Sequence, residues 1–193
     1  MVTIREEKIA DVAAREALLD IAYGASRFTK TCERLREGRL PADGLSLVAV
    51  ERGRIVGTVR LWHVTAGPER LALLLGPLAV DPAHRNRGIG SALVRRAIAR
   101  ARLAGHRAIV LVGDAPYYGR FGFTAAATGE LWMPRHFERE RLLGLELKAD
   151  ALAGARGLIA ATGALAPKPD LAVLVAIDRH SRKRAGTRRA LAA

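Results

Sequence analysis

The feature that most constrains this chain is an arginine- and glycine-rich turn between an apolar segment and an amphipathic segment. Residues 71–80 form an almost unbroken apolar run, which predicts a strand buried on both faces. The turn follows with the sequence DPAHRNRGIGS over residues 81–91, and apolar residues then recur at helical spacing to about Ala104. Ala108–Val112 is the next predicted strand. This order of strand, glycine turn, helix and strand is typical of a domain that mixes helices with a sheet.

The glycine turn predicts an anion site. Glycines at a strand-to-helix junction let backbone N–H groups point into a concavity, and the helix start adds partial positive charge, so a pyrophosphate is the natural occupant. A nucleotide-binding P-loop ends in Gly-Lys-Ser/Thr, whereas this turn ends in Gly90-Ser91-Ala92. The dinucleotide fingerprint needs a third glycine where Leu93 stands. A coenzyme A site and a purely structural tight turn are the remaining interpretations.

Further strands and helices are predicted by the periodicity outside this segment. The strands are Val2–Arg5, Leu45–Glu51, Arg54–Val64 and Leu142–Leu147, and the helices are Asp11–Tyr23 and Lys30–Glu37. Arg52-Gly53 predicts a hairpin between the second and third of these strands. The predicted fold is therefore α/β, with a mixed twisted sheet of six to seven strands and flanking helices.

Charge and cysteine content exclude several classes of protein. The net charge of +13 comes from two acid-free segments, six basic residues in the tail from Arg179 and seven arginines between Pro82 and Gly113. Because neither segment interleaves aromatic residues, nucleic acid is not an expected partner. Cys32 is the single cysteine, which excludes a disulfide scaffold and a zinc ribbon. The charged start MVTIREEK lacks the apolar core of a signal peptide, so we expect a cytoplasmic protein without a membrane partner.

Two motifs together resemble the GCN5-related N-acetyltransferase (GNAT) superfamily. Arg85-Asn86-Arg87-Gly88-Ile89-Gly90 is similar to the family motif Arg/Gln-x-x-Gly-x-Gly/Ala, and it follows Leu78-Ala79-Val80-Asp81-Pro82. Tyr118 followed four residues later by Gly122-Phe123 is similar to the second family signature. The resemblance covers roughly residues 2–148 and indicates a bacterial branch of N-acetyltransferases. We therefore predict a GNAT-like domain over 1–148 and an Ala/Gly-rich C-terminal extension with a basic tail over 149–193.

The resemblance implies a cosubstrate, a reaction and a set of site residues. The cosubstrate is acetyl-CoA, which would enter a splay between the strands 71–80 and 108–112, and its acetyl group would pass directly to a primary amine. Tyr118 is implied as the catalytic general acid for the leaving thiolate, whereas we predict Tyr117 to be a core aromatic residue. The implied cofactor-binding residues are Leu78, Ala79, Val80, Arg85, Asn86, Arg87, Gly88, Ile89, Gly90 and Ser91.

The sequence departs from the family pattern at the general base. Many family members carry a glutamate on the strand equivalent to Leu71–Val80, which has no ionisable residue here. His63 on the preceding strand is a candidate for the acceptor side. A catalytically silent acyl-CoA-binding or regulatory module is therefore the alternative function. The acceptor stays open between an amine-bearing small molecule and a protein, and a second copy of the chain, in a homodimer, is a further candidate partner.

Overall fold

The described part of the chain, residues 1–167 of a computed structural model, is built on a mixed sheet with helices on both faces. The strands are β1 Val2–Glu6, β2 Ser46–Glu51, β3 Arg54–Ala66, β4 Leu71–Val80, β5 Ala108–Val112, β6 Glu130–Trp132, β7 Leu142–Glu146 and β8 Arg156–Ala161. The helices are α1 Val12–Tyr23, α2 Ile89–Leu103 and α3 Ala115–Gly119. Within these residues the sheet has eight strands, and the predicted α/β class is confirmed.

The sheet is antiparallel except at two places. Its main order is β1-β2-β3-β4-β5-β7, and the parallel pair β4–β5 is connected through helix α2. Strand β3 has 13 residues and is long enough to pair with β2 along its first half and with β8 at its end. The second parallel pair joins β8 to the short strand β6. The predicted hairpin at Arg52-Gly53 joins β2 to β3 and is confirmed.

Strand β4 is buried on both faces, as its apolar sequence predicts. Leu73 and Leu75 pack in the cluster that includes α2, whereas Ala72 and Leu74 pack in the cluster on the opposite face. Helix α1 covers that opposite face near the end of β4 through Leu18 and Leu19, which contact Ala79. The apolar face predicted for α2 is buried as a whole and consists of Leu93, Val94, Ala97, Ile98 and Ala101.

The predicted helix Lys30–Glu37 is wrong. The chain forms two consecutive 3-10 turns instead, Ala25–Thr29 and Thr31–Leu35, before Gly38. This segment has no side-chain cap at Lys30 to offset the cost of nucleating an α-helix, and Thr31 lowers its helix propensity further. The turns bring the side chains of this segment to the end of β4.

The predicted strand Leu142–Leu147 exists as β7, but it is not the last strand. Strand β8 lies within the predicted extension, where it pairs with β3 and β6 and completely buries Ile159. The division at residue 148 stays a prediction, since β8 ties the start of the extension to the sheet. The basic tail lies outside the described residues. Among residues 1–167 no helix has the length and apolar content to cross a membrane.

Truncation of Ile159 tests whether the extension contributes to the stability of the sheet. Ile159 is 0% exposed and its neighbour Leu158 is 53% exposed on the other face of the same strand. We expect Ile159→Ala to lower the free energy of unfolding by about 2–4 kcal/mol because it leaves a cavity in the core. Leu158→Ala should cost less than about 1 kcal/mol. Equal effects of the two changes in urea denaturation would contradict the packing of β8.

Candidate active site

The parallel strands β4 and β5 separate after only two paired positions. Leu73 pairs with Ile109 and Leu74 with Val110, and the strands then diverge. Gly76 and Pro77 form a bulge in β4. These two residues separate Leu75 from Leu78 on β4, whereas a single residue separates their partners Leu61 and Val59 on β3. Proline has no N–H to donate to a neighbouring strand, and a bulge redirects the strand that carries it. The bulge therefore accompanies an opening at the carboxyl ends of both strands.

This opening contains a cavity of about 260 Å³, here called the splay cavity. Leu75–Leu78 of β4 form one wall and Val112–Asp114 at the end of β5 form the other. The end of α1 and the 3-10 turns close a third side with Tyr23, Glu33 and Arg36. Tyr118 of α3 also lines the cavity. A mixed apolar and ionisable lining of this kind is suited to a reacting group that must be oriented.

A second cavity of about 480 Å³, the turn cavity, lies at the start of α2. Its lining residues are Val80, His84, Arg85, Asn86, Gly88, Ile89, Gly90, Ser91, Tyr117 and Arg120. The backbone is left-handed at Asn86 (φ 62°) and at Gly88 (φ 75°), the residue that caps α2. A Cβ on Gly90 would lie 2.8 Å from the Tyr117 hydroxyl and 3.5 Å from Val80. The missing side chain at Gly90 therefore keeps the turn cavity open.

Most of the predicted cofactor-binding residues line these cavities. Leu78 lines the splay cavity. Val80 and every predicted residue of the turn except Arg87 line the turn cavity. Ala79 lines neither cavity, because successive strand residues point to opposite faces and Ala79 is buried against α1.

Arg87 is directed away from the turn cavity by a charge partner on β2. Its Nη2 lies 2.6 Å from Oε1 of Glu51, and its Nη1 lies 3.1 Å from Oε2. This bidentate hydrogen bonding lowers the pKa of the Glu51 carboxyl to about 2. The expected side-chain charge of Arg87 in the anion site is thus neutralised by Glu51. Arg85 and Arg120 are the arginines that line the turn cavity.

Helix α3 separates the two cavities with adjacent tyrosines. Asp114 caps the helix by accepting a hydrogen bond from the Tyr117 N–H at 3.0 Å, and Pro116 occupies its first turn. Tyr117 lines the turn cavity and Tyr118 the splay cavity, so the prediction that Tyr117 is a core aromatic residue is wrong. Tyr118 packs so closely on Gly113 that a side chain there would overlap its ring.

Burial raises the pKa of the Tyr118 phenol above its usual value of about 10, so Tyr118 keeps its proton at neutral pH. Burial also raises the pKa of Tyr23, whose hydroxyl donates a hydrogen bond to the Leu78 carbonyl oxygen. The sequence around α1 contains no signal that Tyr23 lines this cavity or that it bonds to Leu78. The two phenols thus enter the splay cavity from opposite sides in their neutral forms.

Four site residues were missed by the sequence analysis: Tyr23, Glu33, Arg36 and Arg120. Three of them come from the 3-10 turns or the end of α1, where the sequence has no recognisable motif. Arg120 lies within the predicted tyrosine motif, at a position that the motif leaves unspecified, and its Nη2 lies 3.4 Å from the Ser91 hydroxyl. His63 is not among the lining residues of the splay cavity; its ring centroid lies 5.4 Å from that of His106. The expectation that His63 reaches the acceptor side is therefore wrong.

A bulged strand at a splay, followed by a glycine turn that opens a helix, defines the acyl-CoA N-acyltransferase class of fold. A family model described as "Acetyltransferase (GNAT) domain" matches residues 42–125. The chain is 32% identical to the uncharacterized N-acetyltransferase YhbS of Escherichia coli over 161 residues, which cover 81% of this chain and 93% of YhbS. It is 34% identical to YjhQ of the same organism over 109 residues, 55% of this chain and 60% of YjhQ. The chain belongs to the GNAT family of N-acetyltransferases.

Two solved structures extend this similarity to three dimensions. E. coli YhbS in complex with CoA superposes with a TM-score of 0.71 at 31% identity, covering 83% of this chain and 89% of YhbS. A GNAT family acetyltransferase from Brucella melitensis in complex with acetyl-CoA gives a TM-score of 0.64 at 30% identity, covering 84% and 96% of the two chains. The likeness thus covers more than four fifths of this chain in both comparisons.

Alkaline pH should destabilise the protein through its buried tyrosines. Below about pH 10 each phenol is protonated in the folded and unfolded chain alike, so the full stability is present. At higher pH the unfolded chain ionises first, because burial raises the folded-state pKa of Tyr23 and Tyr118. We expect the free energy of unfolding to fall above about pH 10, and to fall less steeply in Tyr118→Phe. Identical slopes in denaturant titrations would contradict the burial of this phenol.

Proposed function

We propose that this protein transfers the acetyl group of acetyl-CoA directly to a primary amine. The observation that carries the proposal is the division of neighbouring residues between two cavities. Leu78 and Tyr118 line the splay cavity, whereas Val80 and Tyr117 line the turn cavity. One extended molecule with a pyrophosphate at one end and a thioester at the other would occupy both. The complexes of YhbS with CoA and of the Brucella protein with acetyl-CoA support the choice of cosubstrate.

The turn cavity suits the pyrophosphate. Backbone N–H groups at the start of a 15-residue helix carry partial positive charge, and the open space at Gly90 allows a phosphate to approach the backbone. Arg85 and Arg120 add positive side chains, and Ser91 adds a hydroxyl. Arg87 contributes little to this charge because Glu51 pairs with it. In our proposal the backbone N–H groups of the turn contribute most to binding the pyrophosphate, and Arg85 and Arg120 contribute less.

The second half of β4 supplies the group that polarises the thioester. In an extended strand the N–H and C=O of one residue point to the same edge. The Leu78 carbonyl accepts the Tyr23 hydroxyl on the side of the splay, so the Leu78 N–H points to that edge as well. We assign this N–H to the thioester oxygen, where negative charge develops as the amine attacks. A fixed donor at that position lowers the barrier because it needs no reorganisation.

Two side chains of the splay cavity handle the protons. The amine nitrogen forms a bond to the acetyl carbon, the carbon–sulfur bond breaks, and the departing thiolate takes the proton of Tyr118. The proton lost by the amine passes to Glu33, whose carboxylate lines the cavity. Asp114 also lines the cavity, but its carboxylate caps α3. The alternative of a catalytically silent module is weakened, since it depended on the absence of an acid near β4.

Substitution of Gly90 tests the placement of the pyrophosphate. A Cβ at Gly90 would lie 2.8 Å from the Tyr117 hydroxyl, so Gly90→Val should narrow the turn cavity. We expect the affinity for acetyl-CoA in calorimetry to fall by at least about tenfold. Ala99→Val, on the exposed side of α2, is the matched control and should leave the affinity within about twofold. Undiminished affinity in Gly90→Val would remove the turn from the cofactor site.

Removal of one hydroxyl tests the general acid. Tyr118→Phe preserves the ring that packs on Gly113, so the affinity for acetyl-CoA should stay within about threefold while kcat falls about a hundredfold. Tyr117→Phe is the internal comparison, because it removes the hydroxyl on the turn-cavity side and should retain most of kcat. A normal kcat of Tyr118→Phe at saturating acetyl-CoA would show that the thiolate leaves without this acid.

A further inference from the structure

The splay cavity contains a buried arginine whose hydrogen bonding is incomplete. Arg36 is only 9% exposed, and its Nη2 donates to Oε2 of Glu33 at 2.6 Å. Its Nε is buried and has no hydrogen-bond partner within residues 1–167. A buried charged donor without an acceptor is costly, so it marks a position where a partner is missing. The unsatisfied edge of Arg36 therefore indicates an anionic ligand.

The position of Arg36 assigns that ligand to the acceptor rather than to acetyl-CoA. A Cβ on Gly76 would lie 4.0 Å from Nη1 of Arg36, so the guanidinium reaches the bulge of β4. The turn cavity, which suits the pyrophosphate, lies on the other side of the tyrosine pair and does not include Arg36 among its lining residues. An anion bound by Arg36 would thus lie close to the place proposed for the thioester.

The surroundings of Arg36 define the chemistry of the anion. A guanidinium edge matches a carboxylate with two parallel hydrogen bonds. Glu33 already neutralises part of the charge of Arg36. Arg27 also lines the cavity and forms ion pairs with Glu16 and Asp20, although its buried Nε, like that of Arg36, makes no hydrogen bond within residues 1–167. The lining also includes Lys30, Asp114 and Arg141, whereas its apolar part comes from Leu19, Leu75, Pro77 and Val112.

We propose that the acceptor is a small α-amino acid with an apolar side chain, and that Arg36 binds its carboxylate while Glu33 faces its amine. This inference rests on the proposed acetyl transfer and adds the substrate class to it. A protein N-terminus or a lysine side chain has an amide where the free carboxylate would be, so neither satisfies Arg36. Arg36 is thus a residue that determines specificity for the acceptor.

The test compares acceptors that differ only at the carboxylate. Leucine, methionine and phenylalanine are each assayed as the free acid, as the amide and as the parent amine without the carboxyl group, at saturating acetyl-CoA. The amides are the least basic amines and have the most free base at neutral pH, so they react best where nothing recognises a carboxylate. We expect at least one free acid to exceed its amide in kcat/KM by about tenfold or more.

Variants of Arg36 attribute this preference to one side chain. Arg36→Gln should lower kcat/KM for the preferred acid by at least about tenfold and leave its amide within about threefold, with unchanged acetyl-CoA affinity. Arg36→Lys should recover part of the loss, because it restores charge without the planar fork. Arg34→Gln is the control, since Arg34 pairs with Glu37 on the exposed side of the same segment with the same spacing. Arg34→Gln should prefer the free acid over the amide as strongly as the wild type does.

The outcomes separate the two proposals. Failure to bind acetyl-CoA in calorimetry overturns the proposed function. If acetyl-CoA binds but the amides or parent amines are acetylated as well as the acids, only the assignment of the acceptor is overturned. The same holds if acetyl-CoA binds and none of these compounds is acetylated. An equal loss for acid and amide in Arg36→Gln also overturns it, because a merely structural role has that effect. If Arg36→Gln does not fold, the wild-type panel decides alone.

Discussion

The early end of pairing between β4 and β5 is the constraint on which the rest of the site depends. The first half of β4 has neighbours on both edges, whereas from the Gly76-Pro77 bulge onward its paired neighbour is β3 alone. An unpaired edge inside a domain carries backbone polar groups that need partners. Tyr23 donates to the Leu78 carbonyl on this edge. That carbonyl is thus satisfied by the protein, which leaves the N–H of Leu78 for a ligand.

Much of the fold and half of the site could be predicted because their signals are local. The apolar run of β4, the glycine turn and the single apolar face of α2 follow one another without interruption, and each has its own periodicity. Tyr118 was identifiable from its spacing to Gly122-Phe123. Strand β8 was missed because its sequence RGLIAA buries one large side chain, Ile159, beside an exposed leucine and a glycine. A segment of that composition forms a strand because it pairs with the edge of β3, and that partner is distant in the sequence.

The remaining site residues could not be predicted, because their roles depend on partners far away in the sequence. Tyr23 bonds a carbonyl 55 residues later, and Arg87 pairs with an acid 36 residues earlier. Arg87 belongs to a motif and still turns away from the cavity, whereas Arg36 belongs to none and lines the splay cavity. A motif specifies the backbone of the turn reliably, since only a few residues tolerate its left-handed positions. The direction of an arginine is decided by the nearest carboxylate in three dimensions.

The two cavities differ in the way they would hold negative charge, and this difference has a physical reason. At the turn, helix N–H groups and the exposed Arg120 act in a wet environment, which suits a ligand that stays partly hydrated and carries several charges. In the splay cavity the buried guanidinium of Arg36, already paired with Glu33, offers its unpartnered Nε–H to an anionic group. The rings of Tyr117 and Tyr118 stand between these environments and separate the places of the two anions. Two substrates that both carry negative charge would thereby be kept apart except at the thioester, where the amine has to meet the acetyl carbon.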